Sequence, residues 1–116
     1  MIQTLRTAGA RFAFLFGSRA GGRAHEGSDT DVAAWWGSDP PAPWKLPLPD
    51  DVDLLVLDAA PLELAGRVAM HGVLLFDDDP AARVAWQADT RVIYLDELPA
   101  YRERQREWAD VVARRG

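Results

Sequence analysis

RFAFLFGSRAGGRAHEGSDTDVAAWW, residues 11–36, decides how this chain is read. It opens on an apolar run, residues 12–16, and breaks at Gly17-Ser18. A glycine-rich loop follows and ends in Ser28-Asp29-Thr30-Asp31, where a second apolar run begins at Val32 and reaches Trp36. Two strand-like runs therefore flank a turn of small residues and a pair of carboxylates at i and i+2. Alternate residues of a strand share a face, so an extended Asp29-Thr30-Asp31 aims both carboxylates at one spot. Two anions held together are costly without a cation between them. Carboxylate oxygens suit a hard divalent ion such as magnesium or manganese.

Outward from that stretch the pattern alternates between helix and strand. Residues 1–9 read as a short helix with Leu5 and Ala8 on one side and Gly9 as its stop. Residues 11–16 and 32–36 read as the first two strands, and the near-continuous apolar character of the first suggests burial on both faces. Residues 38–51 hold five prolines and exclude a helix or inner strand there. They read as an extended surface connection between strands, with Trp44 the residue a docking role would use. Residues 52–57 are a third strand, 61–71 an amphipathic helix closed by Gly72, and 73–76 a short fourth strand. Asp79-Pro80 starts another helix. Its core-facing stripe is read as Ala81, Val84, Ala85, Ala88, Val92 and Leu95. Pro99 should restart the chain as a final helix with Tyr101, Trp108, Val111 and Val112 turned inward. The expected class is α/β (α+β), a small mixed sheet with helices packed on it, in a single domain over residues 1–116.

Composition removes several classes of function. The 116 residues carry 13 Lys+Arg against 18 Asp+Glu, a net charge of −5. A protein that grips nucleic acid through its overall field needs clustered cations, so no direct nucleic-acid partner is expected. A nucleotide, which needs only a local site, remains open. The absence of cysteine removes disulfides, thiolate chemistry and cysteine-based zinc sites. His25 and His71 lack ligand spacing. No signal peptide or membrane-length apolar run is evident, and a cytoplasmic location without a membrane partner is the expectation.

The chemistry follows from the ends of the strands. Gly17 lets backbone N–H groups approach a phosphate, and the Ser18 hydroxyl can bond a phosphate oxygen. Asp29 and Asp31 would hold a divalent metal against the same phosphates. A third carboxylate on a neighbouring strand would complete a two-metal site. Asp53 is the candidate, because it alternates with Leu55 and Leu57; Asp50 and Asp51 are its near rivals. Asp77-Asp78-Asp79 reads as a turn and helix cap rather than a metal site. The arginines at 102, 104, 106, 114 and 115 read as an exposed face balanced by Glu103 and Glu107.

Gly17-Ser18, ten residues, then Asp29-Thr30-Asp31 resembles the G-S-x10-D-x-D signature of the polymerase-β-type nucleotidyltransferases. FLFGSRA and SDTDVA resemble the flanks of that signature, and residues 52–80 resemble the later strands and helix of its minimal branch. The chain is thus similar to the minimal nucleotidyltransferases, the MntA-like antitoxins paired with HEPN ribonuclease toxins. That resemblance implies a polymerase-β-like fold and transfer of AMP from ATP, with two Mg2+ ions, to a tyrosine of a cognate HEPN toxin, as in type VII toxin–antitoxin systems. It implies nucleotide binding by Gly17, Ser18 and Arg19, and catalysis and metal binding by Asp29, Asp31 and Asp53. Gly21 stands where many members carry arginine, which shifts the load of holding phosphate to Arg19 or Arg23. The alternatives are a non-catalytic antitoxin that masks its toxin, and a small-molecule or RNA nucleotidyltransferase.

Overall fold

The computed structural model describes residues 1–17 and 30–115. Its centre is a four-stranded mixed sheet in the order β3-β2-β1-β4. Strand β1 (Phe12–Phe16) pairs antiparallel with β2 (Thr30–Trp35) on one side and with β4 (Val73–Asp77) on the other. Strand β3 (Val52–Val56) lies parallel to β2. Helix α1 (Ile2–Thr7) precedes the sheet, α2 (Leu62–His71) joins β3 to β4, and α3 (Pro80–Arg115) follows β4.

Alternation along β1 and β2 sorts the core into two layers. Phe12, Phe14 and Ala33 face α2 and α3, where they meet Leu57, Val68, Trp35 and Trp86. Phe12 stacks on Trp35 with ring centroids 5.1 Å apart. Ala13, Val32, Ala34 and Trp36 face the other way, onto Leu5 of α1. Both central strands are therefore buried on both sides, as their unbroken apolar runs require. Each fully buried phenylalanine contributes roughly 2–3 kcal/mol of transfer free energy.

The second layer is closed by the proline-rich stretch. Expected to be a surface connection only, it instead lays Leu46 and Leu48, both half-buried, against the α1-side cluster. A short 3-10 turn, Pro43–Lys45, leaves Trp44 outside, 84% exposed. Helix α1 is tied to the same layer by the indole of Trp36, whose Nε1 donates to the Ala8 carbonyl at 3.0 Å. Gly9, at φ +98°, turns the chain out of α1, as expected of a stop residue.

Helix α3 departs from expectation twice. It runs unbroken for 36 residues through Pro99, where a restart was expected. The missing N–H at Pro99 frees the carbonyl of Leu95, and this part of the helix is exposed to water, which can donate to it. The stripe of Ala81, Val84, Ala85, Ala88, Val92 and Leu95 does not face the core; every one of these residues is exposed. The inner face is built by Trp86, Thr90 and Tyr94, with Arg83 and Gln87 beside them. Those two polar side chains are satisfied at the interface: Arg83 Nε donates to Asp77 and Gln87 Nε2 to the Ala69 carbonyl. Apolar spacing alone therefore pointed to the wrong face. On α2, where helical spacing picks out Leu64, Ala65 and Val68, Ala65 and Val68 are buried together with Ala69, while Leu64 is exposed.

The three aspartates before α3 are structural. Asp78 takes a two-pronged contact from Arg6, Asp79 pairs with Arg11, and Asp77 pairs with Arg83. Asp79 also accepts from the Ala82 N–H at 3.2 Å, the N-cap bond read from the sequence.

Helices α2 and α3 meet at Gly66, where a Cβ would overlap the Cβ and ring of Tyr94. The overlap falls at the root of that side chain, so the helices themselves must part. Gly66→Ala is therefore expected to destabilise the fold by about 1–3 kcal/mol, the usual range for overpacking, despite alanine's better helix propensity. Thermal unfolding checks it; an unchanged or raised Tm would show that the helix pair is not closely packed.

Candidate active site

The parallel pairing of β2 with β3 sets Asp31 directly opposite Asp53. The antiparallel pairing of β2 with β1 sets Phe16 opposite Asp31 on the other side. The three side chains make a row across neighbouring strands and, with Leu54 and Leu55, line an open cavity of about 250 Å³. Phe16 and Leu55 continue the layer that packs on α2 and α3. The cavity thus lies on that face of the sheet, just beyond the end of its apolar packing.

The register has a local cause. The Thr30 N–H donates to the Asp51 carbonyl at 2.7 Å, and the Val52 N–H donates to Pro49 at 3.0 Å. These bonds start β3 in phase with β2. Asp50 and Asp51 lie in the turn that makes this start, ahead of the ladder that pairs Asp31 with Asp53. At the far end, the Asp58 carboxylate accepts from the backbone N–H groups of Trp36 and Gly37 at 2.9 and 2.7 Å. The crossover is pinned at both ends.

Gly17 closes the site on the β1 side. Its φ is +82°, a conformation open to glycine and strained by 1–2 kcal/mol, as an order of magnitude, for other residues. A Cβ there would strike the Asp31 carboxylate, reaching Oδ2 first and lying 3.3 Å from Cγ. Glycine is required twice over, for backbone conformation and for room beside the acid. Ser18, Arg19 and Asp29, the other residues singled out in the sequence, lie outside the described residues, as does His25.

Paired carboxylates directly opposite on neighbouring strands repel one another. Their oxygens are hard donors, Asp53 is exposed and the cavity is open, so the donor chemistry fits a divalent ion that keeps several waters. Among the described residues no group of three or more acidic, histidine or cysteine side chains is placed to hold a metal. Asp31 and Asp53 are the two carboxylates brought together. Phe16 is the wall residue that was not singled out from the sequence. Its signal was available, since it shares the β1 face of Phe12 and Phe14 and immediately precedes the glycine.

The mixed sheet thus sets Asp31 and Asp53 side by side at one end, beside a strand that stops at glycine. A match to the family described as Polymerase beta, Nucleotidyltransferase spans residues 1–81, and the chain belongs to that family. Comparison with curated proteins gives no match. Among solved structures, a toxin–antitoxin structure with AMP-PNP is 30% identical with a TM-score of 0.74, covering 96% of this chain and 94% of that one. The toxin–antitoxin MntA–HepT is 28% identical with a TM-score of 0.66, covering 96% and 92%. A tri-AMPylated Shewanella oneidensis HEPN toxin in complex with its MNT antitoxin gives 26% identity and a TM-score of 0.68, again covering 96% and 92%. Among the described residues no helix is long and apolar enough to cross a membrane.

Gly17→Ala is expected to lower stability by about 1–2 kcal/mol through left-handed strain and to turn the Asp31 carboxylate away from Asp53. Thermal unfolding reads the first effect and a crystal structure of the variant the second. A variant that melts like the wild type with Asp31 in place would remove the constraint.

Proposed function

We propose that this chain, as a single nucleotidyltransferase domain over residues 1–116, is the antitoxin of a type VII toxin–antitoxin pair. It transfers AMP from ATP to a tyrosine of its cognate HEPN toxin and thereby silences it. The observation that carries this reading is the near full-length likeness, at 30% identity, to a toxin–antitoxin structure holding an ATP analogue. The AMPylated toxin in a second similar complex supports a protein acceptor, and the family supplies the reaction class.

In this reading Gly17, Ser18 and Arg19 hold the phosphates of the nucleotide. Asp29, Asp31 and Asp53 would hold two magnesium ions, which would supply positive charge at the α-phosphate and ease ionisation of the acceptor hydroxyl. The tyrosine oxygen forms the new bond to the α-phosphorus. The bond from that phosphorus to the bridging oxygen breaks, and pyrophosphate leaves with the electron pair. Asp53, at the exposed edge of the sheet, faces the acceptor and takes its proton. A domain of this size with an open cavity supplies one side of the site, and the partner supplies the acceptor and the opposite wall.

The test is transfer from α-labelled ATP, with magnesium, to the purified cognate toxin. Label is expected on the toxin. Asp31→Asn and Asp53→Asn should each lower transfer by about a hundred- to a thousandfold or more, the scale of losing one group that stabilises transition-state charge. Chelation of magnesium should stop it. Label on RNA would point to a nucleic-acid acceptor. No label, with growth rescue undiminished in Asp29→Asn/Asp31→Asn, would make the chain a masking antitoxin.

A further inference from the structure

The nucleotidyltransferase match stops at residue 81, and α3 has only just begun there, at Pro80. The likeness to the toxin–antitoxin structures nevertheless covers 96% of the chain, which leaves about five residues unmatched. Nearly all of the 36-residue helix is thus shared with proteins that act beside a toxin while lying outside the family match. Packing through Trp86, Thr90 and Tyr94 accounts for its inner face, leaving the role of the outer face to be assigned.

Its outward face shows what. Ala81, Val84, Ala85, Ala88, Val92 and Leu95 are all exposed. The branched ones are strongly so: Val84 53%, Val92 67% and Leu95 49%. At about 100° per residue they fill an arc of roughly 100°, almost diametrically opposite the buried Thr90. The stripe runs about 21 Å along the helix at 1.5 Å per residue. Three alanines among the six leave shallow grooves into which the ridges of another helix can settle. An apolar stripe of this length in water marks an interaction surface. The edges are charged with opposite sign, Asp89 and Asp96 along one and Arg91 and Arg102 along the other, all exposed. A symmetric antiparallel pairing of two copies would set acidic edge against acidic edge, which disfavours that arrangement, whereas a foreign helix with a basic edge would meet Asp89 and Asp96 favourably.

We propose that the outward face of α3, from Ala81 to Leu95, is where a helix of the cognate toxin docks. The occupant has an apolar stripe with basic residues on the edge that meets Asp89 and Asp96. This rests on the antitoxin reading above. None of the six stripe residues lines the Asp31–Asp53 cavity, so holding the partner and modifying it depend on different side chains.

The experiment measures affinity for the purified cognate toxin and AMP transfer side by side. The variants are Val84→Asp/Val92→Asp, Leu95→Lys and Asp31→Asn, each checked by circular dichroism and Tm. The substituted stripe positions are exposed, so the fold should survive. Both stripe variants should weaken toxin binding at least about tenfold, the scale of interface hot spots, whereas Asp31→Asn should still bind while losing transfer. Unchanged affinity in both folded stripe variants would overturn the docking surface. A wild-type dimer that the stripe variants dissolve, with toxin binding intact, would assign the face to a second copy and overturn the toxin as occupant. Stripe-dependent binding without any AMP transfer would uphold the docking surface and sink the catalytic reading instead. A wild-type chain that does not bind the toxin would overturn both.

Discussion

Everything in this molecule depends on the register of one strand. β2 is the only strand of the described sheet with a parallel neighbour on one side and an antiparallel neighbour on the other. Its residues 32–34 are fully buried, so it cannot slide. Because side chains alternate with a period of two, a slip by one residue would exchange its two packing faces. Val32 and Ala34 would lose Leu5, and Ala33 would lose Phe12 and Phe14. The same slip would take Asp31 out of line with Asp53. The apolar core and the acidic pair are held by one constraint, and the cost of disordering either falls on both.

The site illustrates how a fold sustains an arrangement that is locally unfavourable. Two carboxylates in line on neighbouring strands repel. Gly17 contributes a left-handed turn with no side-chain contact to repay it. The stabilisation comes from the phenylalanine, tryptophan and valine packing a few residues away, and from the crossover bonds at Thr30, Val52 and Asp58. The placing of Asp31 beside Asp53 thus rests on packing and backbone bonds elsewhere in the sheet.

The sequence shows some of this directly. Unbroken apolar runs announce β1 and β2, and the alternation of Asp53 with Leu55 puts that acid on a strand face. Polar spacing correctly marks Asp79 as a cap. What it does not show is direction and partner. Nothing in residues 52–57 says that β3 runs parallel to β2, which is what brings Asp53 rather than Asp50 to Asp31. Helix α3 misleads for a physical reason: the hydrophobic pattern reports that a face is apolar, not what covers it. Its outward stripe is more apolar than its inner face, where Arg83 and Gln87 are acceptable because their polar ends find partners. Leu46 and Leu48 were hidden among prolines, a composition that reads as solvent-facing. The nucleotide-loop residues Ser18, Arg19 and Asp29 rest on motif spacing alone.

The proline-rich crossover raises a matter of hydrogen-bond accounting. A stretch laid across a sheet face outside any ladder would normally bury amide donors with nothing to accept from. Five residues between Gly37 and Asp51 are proline and carry no N–H at all. The segment can therefore press Leu46 and Leu48 onto the sheet with fewer donors to satisfy, and the N–H groups of Lys45, Leu46 and Leu48 find carbonyls within the segment itself. Where a parallel connection usually satisfies its amides by coiling them into a helix, this chain has deleted five of the thirteen between Gly37 and Asp51, and beside α1 it covers part of one face of its sheet with a layer thinner than any helix.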